Sequence, residues 1–238
     1  YRWWEGGNDT TRRYRYHDLR GVLRLAKGQR FLQLLGERIK TGEELPVAKL
    51  RFAAGFPQSG PGRYYRLEAN FRHRYLWRGP GSTGIHLRLG KVWGRAPLYA
   101  WLRPDAARQG VAGGLHLPGH FAAMEFYEFR GKSLASGILT HNFGPLFVTQ
   151  STAPEPLLGY GAAWTSQDQV RFQEGPQDGP ADAIYQEAVL GVENLYNTLY
   201  ADLVTLEMGF SAHYRFGAFH RQLWDKNLVF MLRADLSF

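Results

Sequence analysis

A chain of 238 residues with 44% hydrophobic and 21% charged content can hold one large domain or two small ones, and its mean hydropathy of −0.38 is that of a soluble protein on average. It has no cysteine, which removes disulfide frameworks, thiolate metal sites and cysteine nucleophiles, and no apolar run of about eighteen residues, which removes a spanning helix. The formal charge of +8 is interleaved with apolar residues and not gathered in a block, so nucleic acid is not expected as a partner.

None of this removes a membrane β-barrel, whose strands alternate apolar and polar residues and therefore average out. The sequence starts at Tyr1 and not at Met, which is expected of a processed protein or of part of a longer one. The first candidate strands are 14–26 and 29–38. In the second, "RFLQLLGERI" also fits one helical face through Phe31, Leu34, Leu35 and Arg38, so both readings stand. After a candidate at 47–56 comes a clear case, "RYYRLEANFRHRYLW". There Tyr65, Leu67, Ala69, Phe71, Tyr75 and Trp77 oppose Arg66, Glu68, Asn70, Arg72 and Arg74, with His73 the polar residue on the apolar side. Candidates at 83–93, 133–143, 157–166 and 185–194 follow, with a long loop over 94–132. From 204 the alternation is clean again: Val204, Leu206, Met208, Phe210, Ala212, Tyr214 and Phe216 against Thr205, Glu207, Gly209, Ser211, His213 and Arg215. The last segment sets Leu228, Phe230, Leu232, Ala234, Leu236 and Phe238 against Asn227, Met231, Arg233, Asp235 and Ser237, with Val229 and Met231 as apolar exceptions on the second face.

This makes about ten strands, an even number as bacterial barrels have. The clear ones reach the roughly 9–11 residues that cross a bilayer, against about 5–6 in ordinary domains. Tyr65, Trp77, Tyr214, Phe216 and Phe238 fall at strand tips, where a membrane interface would lie. Counted back from the C-terminus, connections alternate longer and shorter, with "GPLFVTQSTAPEP" the one overlong turn, as expected if the C-terminus is periplasmic. The expected fold is thus an all-β, transmembrane antiparallel β-barrel of the bacterial outer membrane over 1–238. A soluble sandwich or lipocalin-like barrel binding an apolar ligand has the same alternation with its faces inverted, and stands as an alternative. In a membrane barrel, Phe230, Leu232, Leu236 and Phe238 would form the lipid side of an insertion signal that the barrel-assembly machinery pairs with by strand addition. Arg66, Glu68, Arg72, Arg74, Glu207, Arg233 and Asp235 would be lumen charges, and lumenal arginines could also line a small or plugged anion-preferring pore.

Catalysis is not expected. No G-x-S-x-G surrounds a serine, "HDL" at His17–Asp18 and "THN" at His141–Asn142 stand apart, and His213 and His220 lie either side of a strand end without metal spacing. "GPGSTG" lacks the Lys–Ser/Thr of a phosphate loop and reads as a turn. No cofactor is expected. Glu125 and Glu128 are the charges of most interest: if 94–132 folds into the lumen, Glu128 is expected to pair with a wall arginine such as Arg66, Arg72 or Arg74. An exposed pair of little worth is the plainer alternative.

Three stretches, "GKVWGRAPLYAWLR", "FAAMEFYEFRGKSLASGILTHNFG" and "VLGVENLYN…YRFGAFH…FMLRADLSF", together resemble the barrel of a Bacteroidota outer-membrane family that often carries a carboxypeptidase-regulatory-like sandwich domain. That family is similar in turn to the BamA/TamA surface-antigen superfamily of Gram-negative bacteria. The matching positions are Gly90, Gly94, Pro97, Phe121, Met124, Glu128, Phe129, His141, Phe143, Glu193, Asn194, Tyr214, Arg215, Gly217 and Phe238, from about Arg51 onward. The resemblance implies a sixteen-stranded barrel whose long loop before the last five strands folds into the lumen. It also implies a non-enzymatic role in protein assembly or export, with outer-membrane lipid and other envelope proteins as partners. About ten strands and no sandwich domain fit in these residues, so either upstream strands lie outside this sequence or the barrel is smaller.

Overall fold

The computed structural model describes residues 2–3, 12–13, 15–34, 37–79, 81–108, 114–115, 119–126, 128–166, 183–200 and 204–237. For 2–3, 12–13, 27–34, 37–45, 108, 114–115, 199–200, 204 and 235–237 it describes strand placement alone. The small pair β1 (Arg2–Trp3) and β2 (Arg12–Arg13) precedes the long strands β3 (Arg15–Leu34), β4 (Glu37–Ser59), β5 (Tyr64–Leu76) and β6 (Ser82–Gly94). Short strands β7 (Ala106–Arg108), β8 (Gly114–Leu115) and β9 (Phe121–Glu125) lie in the segment that follows. Five long strands then complete the sheet: β10 (Ser133–Asn142), β11 (Glu155–Thr165), β12 (Tyr185–Tyr200), β13 (Val204–Phe216) and β14 (Leu228–Ser237).

The nine long strands form one antiparallel sheet in the order β3-β4-β5-β6-β10-β11-β12-β13-β14, and β8 adds to β14 in parallel. Sequence neighbours pair throughout, except that 95–132 separates β6 from β10. Connections at one end of the sheet (the turn end) span 35–36, 77–81, 143–154 and 201–203, while 60–63, 95–132, 166–184 and 217–227 lie at the other, the loop end. Among the described residues β3 and β14 do not pair with each other.

The nine strands correct the expected ten. Candidates 14–26 and 29–38 are not two strands: β3 runs on to Leu34, and the end of the second candidate belongs to β4. Register shifts at Ala26/Lys27, Lys27/Gln29 and Arg30/Phe31 are the reason. Bulges break the two-residue period, so a continuous strand reads as an interruption. The helical reading of "RFLQLLGERI" falls with it. A second irregularity sits in β12, where Glu193, Asn194 and Leu195 oppose Gly209 alone. Asn194 takes a left-handed φ of 54°, and a Cβ on Gly209 would run into the carbonyl of Val192.

The register also fixes the tilt. One row of partners runs from His73 on β5 through Ile85, Leu139, Tyr160, Ala188 and Tyr214 to Leu228 on β14. It starts nine residues into β5 and reaches the first residue of β14 after six strand steps. With roughly 3.3 Å per residue and 4.8 Å per strand, the strands slope about 45° to the line of their ends. The sheet is curled as well as sheared. One cavity of about 540 Å³ is lined by the same face of seven successive strands, from Arg72 on β5 through His86, Leu157 and His213 to Arg233 on β14. Laid flat those strands would span roughly 29 Å, while a sphere of that volume is about 10 Å across.

The concave face is the polar one. Glu68, Arg88, Glu187, Ser211, His213 and Arg215 are buried on it, while Leu19, Leu23, Phe52, Leu67, Leu89, Leu158, Leu190 and Phe210 are exposed on the other. A soluble barrel has the reverse arrangement. Burial therefore concentrates where 95–132 meets the polar face. Phe121, Met124, Phe129, Tyr185 and Phe219 form one cluster, and Tyr64, Val92, Ala100, Leu102 and Leu134 another.

Candidate functional site

The segment 95–132 is the feature that a bare sheet would not need, and it is fastened at both ends. Its departure is set by Gly94, at a φ of 85°, where a Cβ would meet the carbonyl of Arg63. Buried Pro97 leads into a turn of 3-10 helix over Leu98–Ala100. Tyr99 there packs edge-on against Tyr16 and Tyr64, and Asp18 accepts from the Tyr64 hydroxyl at 2.9 Å and lies 3.5 Å from that of Tyr99. Burial lifts the Tyr99 phenol above its ordinary range. Arg66 bonds the Ala100 carbonyl at 3.2 Å and Glu68 at 2.7 Å. Arg88 bridges Glu68 at 2.6 Å, the Arg103 carbonyl at 3.0 Å and the Asp105 carboxylate. Leu102 then pairs with Gly131, closing the segment on itself.

The far end sits in a socket on β12, β13 and the 217–227 connection. The Glu187 carboxylate accepts from the backbone N–H groups of Ala122 at 3.0 Å and Ala123 at 2.9 Å, and from the Tyr185 hydroxyl at 2.8 Å. Glu128 pairs with Arg215 at 2.6 Å, and Glu125 with Arg221 at 2.8 Å. Burial pulls the Arg221 guanidinium down, but its bonds to Glu125 and Glu128 outweigh this and leave its pKa raised. Arg215 also lies over the Tyr185 ring and bonds the Phe219 carbonyl, while Phe129 packs edge-on against both Tyr185 and Phe219. The 217–227 connection is stiffened from within: Asn227 accepts from the Arg221 N–H and donates to the Arg221 and Leu223 carbonyls. Gly217, at a φ of 76°, starts that turn.

Here the expected partner of Glu128 is corrected. Arg66 is engaged with Glu68 and Ala100, and Glu128 meets Arg215 on the opposite wall. The cause is the clamp of Glu187 on Ala122 and Ala123, which carries the following residues over β12 and β13. Val229 and Met231, the apolar exceptions of the last strand, are also explained: they are buried beneath Ala122 and Ala123.

The remaining singled-out residues distribute as follows. Arg72, Arg74, Glu207 and Arg233 line the cavity, and Arg233 pairs with Glu193 at 2.6 Å. Asn142 donates to both Glu155 and Glu193 at 2.7 Å. Tyr214 is exposed beside His220, and Met124 is buried in the core cluster. Phe230 and Leu232 are exposed on the apolar face. Leu236 and Asp235 belong to β14 with strand placement alone, and Phe238 lies outside the described residues.

One constellation escaped the sequence. Ser211 Oγ lies 3.0 Å from His213 Nε2, and His213 Nδ1 lies 2.8 Å from Glu187 Oε1. When Nδ1–H donates to Glu187, Nε2 accepts from the serine hydroxyl, the order of groups in a nucleophile–base–acid relay. Its signal was the i, i+2 placement of Ser211 and His213 on one polar face; Glu187 joins them by register alone. Ser211 and His213 are 0% and 1% exposed, and Ala122 and Ala123 N–H groups are spent on Glu187. The three groups, bonded to one another, link the polar faces of β12 and β13. Comparison with family models, curated proteins and solved structures finds no match.

Proposed function

We propose that this chain is a non-enzymatic β-barrel protein of the bacterial outer membrane, with the turn end toward the periplasm and 95–132 as a plug. The observation that carries the proposal is the inversion of faces: buried charges on the concave side and a row of exposed Leu, Phe, Tyr and Trp on the convex side. Water tolerates the first arrangement and penalises the second, whereas lipid favours the second. The tilt of about 45° drawn from the register is also what membrane strands take. In lipid, the edge of β3 and the part of the β14 edge beyond its short pairing with β8 must pair, with each other or with further strands. The resemblance to the BamA/TamA-like Bacteroidota barrels extends the proposal to a role in protein assembly or export within an envelope complex.

Detergent dependence and migration test it. The chain is expected to need detergent and to run faster on gels before heating than after; a monodisperse chain in plain buffer overturns it. A second reading, a plugged pore, is favoured by the cavity behind the plug. Steady conductance in planar bilayers supports the pore, and co-purification with a larger envelope complex supports the assembly role.

A further inference from the structure

The connection 143–154 is longer than a turn between neighbouring strands needs, and it is built as a hairpin. Gly144, at a φ of 78°, donates to Asn142 Oδ1 at 2.7 Å just past the end of β10. Leu146 on the outgoing arm donates back to the Pro154 carbonyl at 3.0 Å, and Thr149 closes the bend on the Thr152 carbonyl at 2.8 Å. The returning arm is fastened sideways to β12. Ala153 donates to the Asn194 carbonyl at 3.0 Å, and the Ser151 carbonyl accepts from Asn197 at 2.7 Å. This fixed frame carries no charged residue from 143 to 154, and Leu146, Phe147 and Val148 on it are 69%, 58% and 72% exposed. Scattered apolar side chains need no explanation, whereas three in a row on a fastened frame mark a contact surface.

The hairpin stands level with the apolar face of the sheet. Its two bonds to β12 bracket the exposed Leu195 and Tyr196, and Tyr196 is the Cα partner of Met208 in the apolar row of β13. On the other side Phe143 continues the β10 row of Leu139 and His141, and meets the His141 ring edge-on at 4.5 Å. Close by, Thr83 Oγ1 lies 2.9 Å from both Trp77 Nε1 and His141 Nδ1, beside the Tyr75–Trp77 ring pair. Aromatic side chains with a polar tip collect at the border of a bilayer. We propose that Leu146, Phe147 and Val148 insert into the headgroup region of the bilayer leaflet at the turn end, as a membrane anchor. The anchor rests on the membrane reading of the sheet. Even with Phe143 and Tyr196 beside them, these side chains fall short of the roughly 800 Å² and 20–30 residues that each partner brings to a standard protein interface. Insertion at a bilayer border needs only a few apolar and aromatic side chains, and a backbone already fastened loses little freedom on entering. A segment without charge also fits an apolar medium better than a partner chosen by ion pairs.

The test uses the full chain in phosphatidylcholine vesicles, with a single cysteine from Phe147→Cys, Gln150→Cys or Leu190→Cys carrying a nitrobenzoxadiazole fluorophore. At 147 the label is expected to be quenched by a lipid with a nitroxide on its headgroup, and severalfold less by aqueous iodide than the label at 150. At 190 it is expected to be quenched by a nitroxide on the acyl chain. The variant L146S/V148S, labelled at 147, should lose lipid quenching severalfold while still running faster on gels before heating than after, which separates loss of anchoring from loss of fold. Equal iodide quenching at 147 and 150, with 190 shielded, would overturn the anchor and leave the membrane reading standing. Iodide access at 190 as well would overturn the membrane reading, and the anchor with it. A label at 147 shielded from both iodide and lipid nitroxide would assign the hairpin to a protein contact, a second copy of this chain included, and overturn the proposal. Unchanged lipid quenching in L146S/V148S would overturn it too, because the apolar side chains would then not be what holds the segment in lipid.

Discussion

Glu187 and Leu190 stand three residues apart on β12 and live in opposite surroundings. Glu187 is 2% exposed and accepts from two backbone amides, a tyrosine and a histidine, while Leu190 is 66% exposed and turned outward. In a soluble domain the leucine would be inside and the glutamate outside. The contrast shows that in this sheet the specific fastening lies on the polar side, while the apolar side is left exposed.

The largest disturbance should come from the polar side. Glu187→Ala strands four donors in a buried site and is expected to cost about 3–5 kcal/mol. Limited proteolysis of the folded chain should then cut within 95–132, which the intact clamp protects; an uncut segment would show that the plug is held elsewhere. On the apolar side, Leu190→Arg is expected to cost about 2–4 kcal/mol in a bilayer and close to nothing in water, since the residue is already exposed. Equilibrium unfolding in vesicles measures the first, and equal stability of variant and wild type there would collapse the contrast. A smaller effect is expected at the bulge, where Asn194→Val should cost about 1–2 kcal/mol and Asn194→Gly nothing measurable, because a left-handed backbone penalises a β-branched residue. The smallest belongs to the rim: Tyr99→Phe removes the bond to the Tyr64 hydroxyl and a 3.5 Å contact with Asp18 but keeps the edge-on ring contacts, so a loss of about 0.5–1 kcal/mol is expected in chemical denaturation.

How much of this was legible depended on period and distance. β5, β13 and β14 could be read because Tyr65 to Tyr75, Val204 to Phe216 and Leu228 to Leu236 keep a two-residue alternation broken only at His73, Val229 and Met231. The β3–β4 hairpin could not, because bulges around Lys27 break that alternation without ending the strand. The interest of Glu128 was visible from its charge in a long loop. Its partner was not, since the choice of Arg215 over a β5 arginine is made by Glu187, which lies far along the chain. Val229 and Met231 looked like defects in the pattern because a second layer of chain, the strand carrying Ala122 and Ala123, covers them. Ser211, His213 and Glu187 come together by strand register, which no local motif encodes.

The absence of native cysteine allows one site at a time to be labelled. Single cysteines placed at Leu87, Leu89 and Leu190 on the apolar face, and at Arg74 and Glu207 on the cavity side, can each carry a nitroxide in chain reconstituted into vesicles. Embedding in lipid predicts that the three apolar-face labels relax strongly with oxygen and weakly with a water-soluble nickel complex, and that the two cavity labels do the opposite. Equal exposure of both sets to the nickel complex would contradict it.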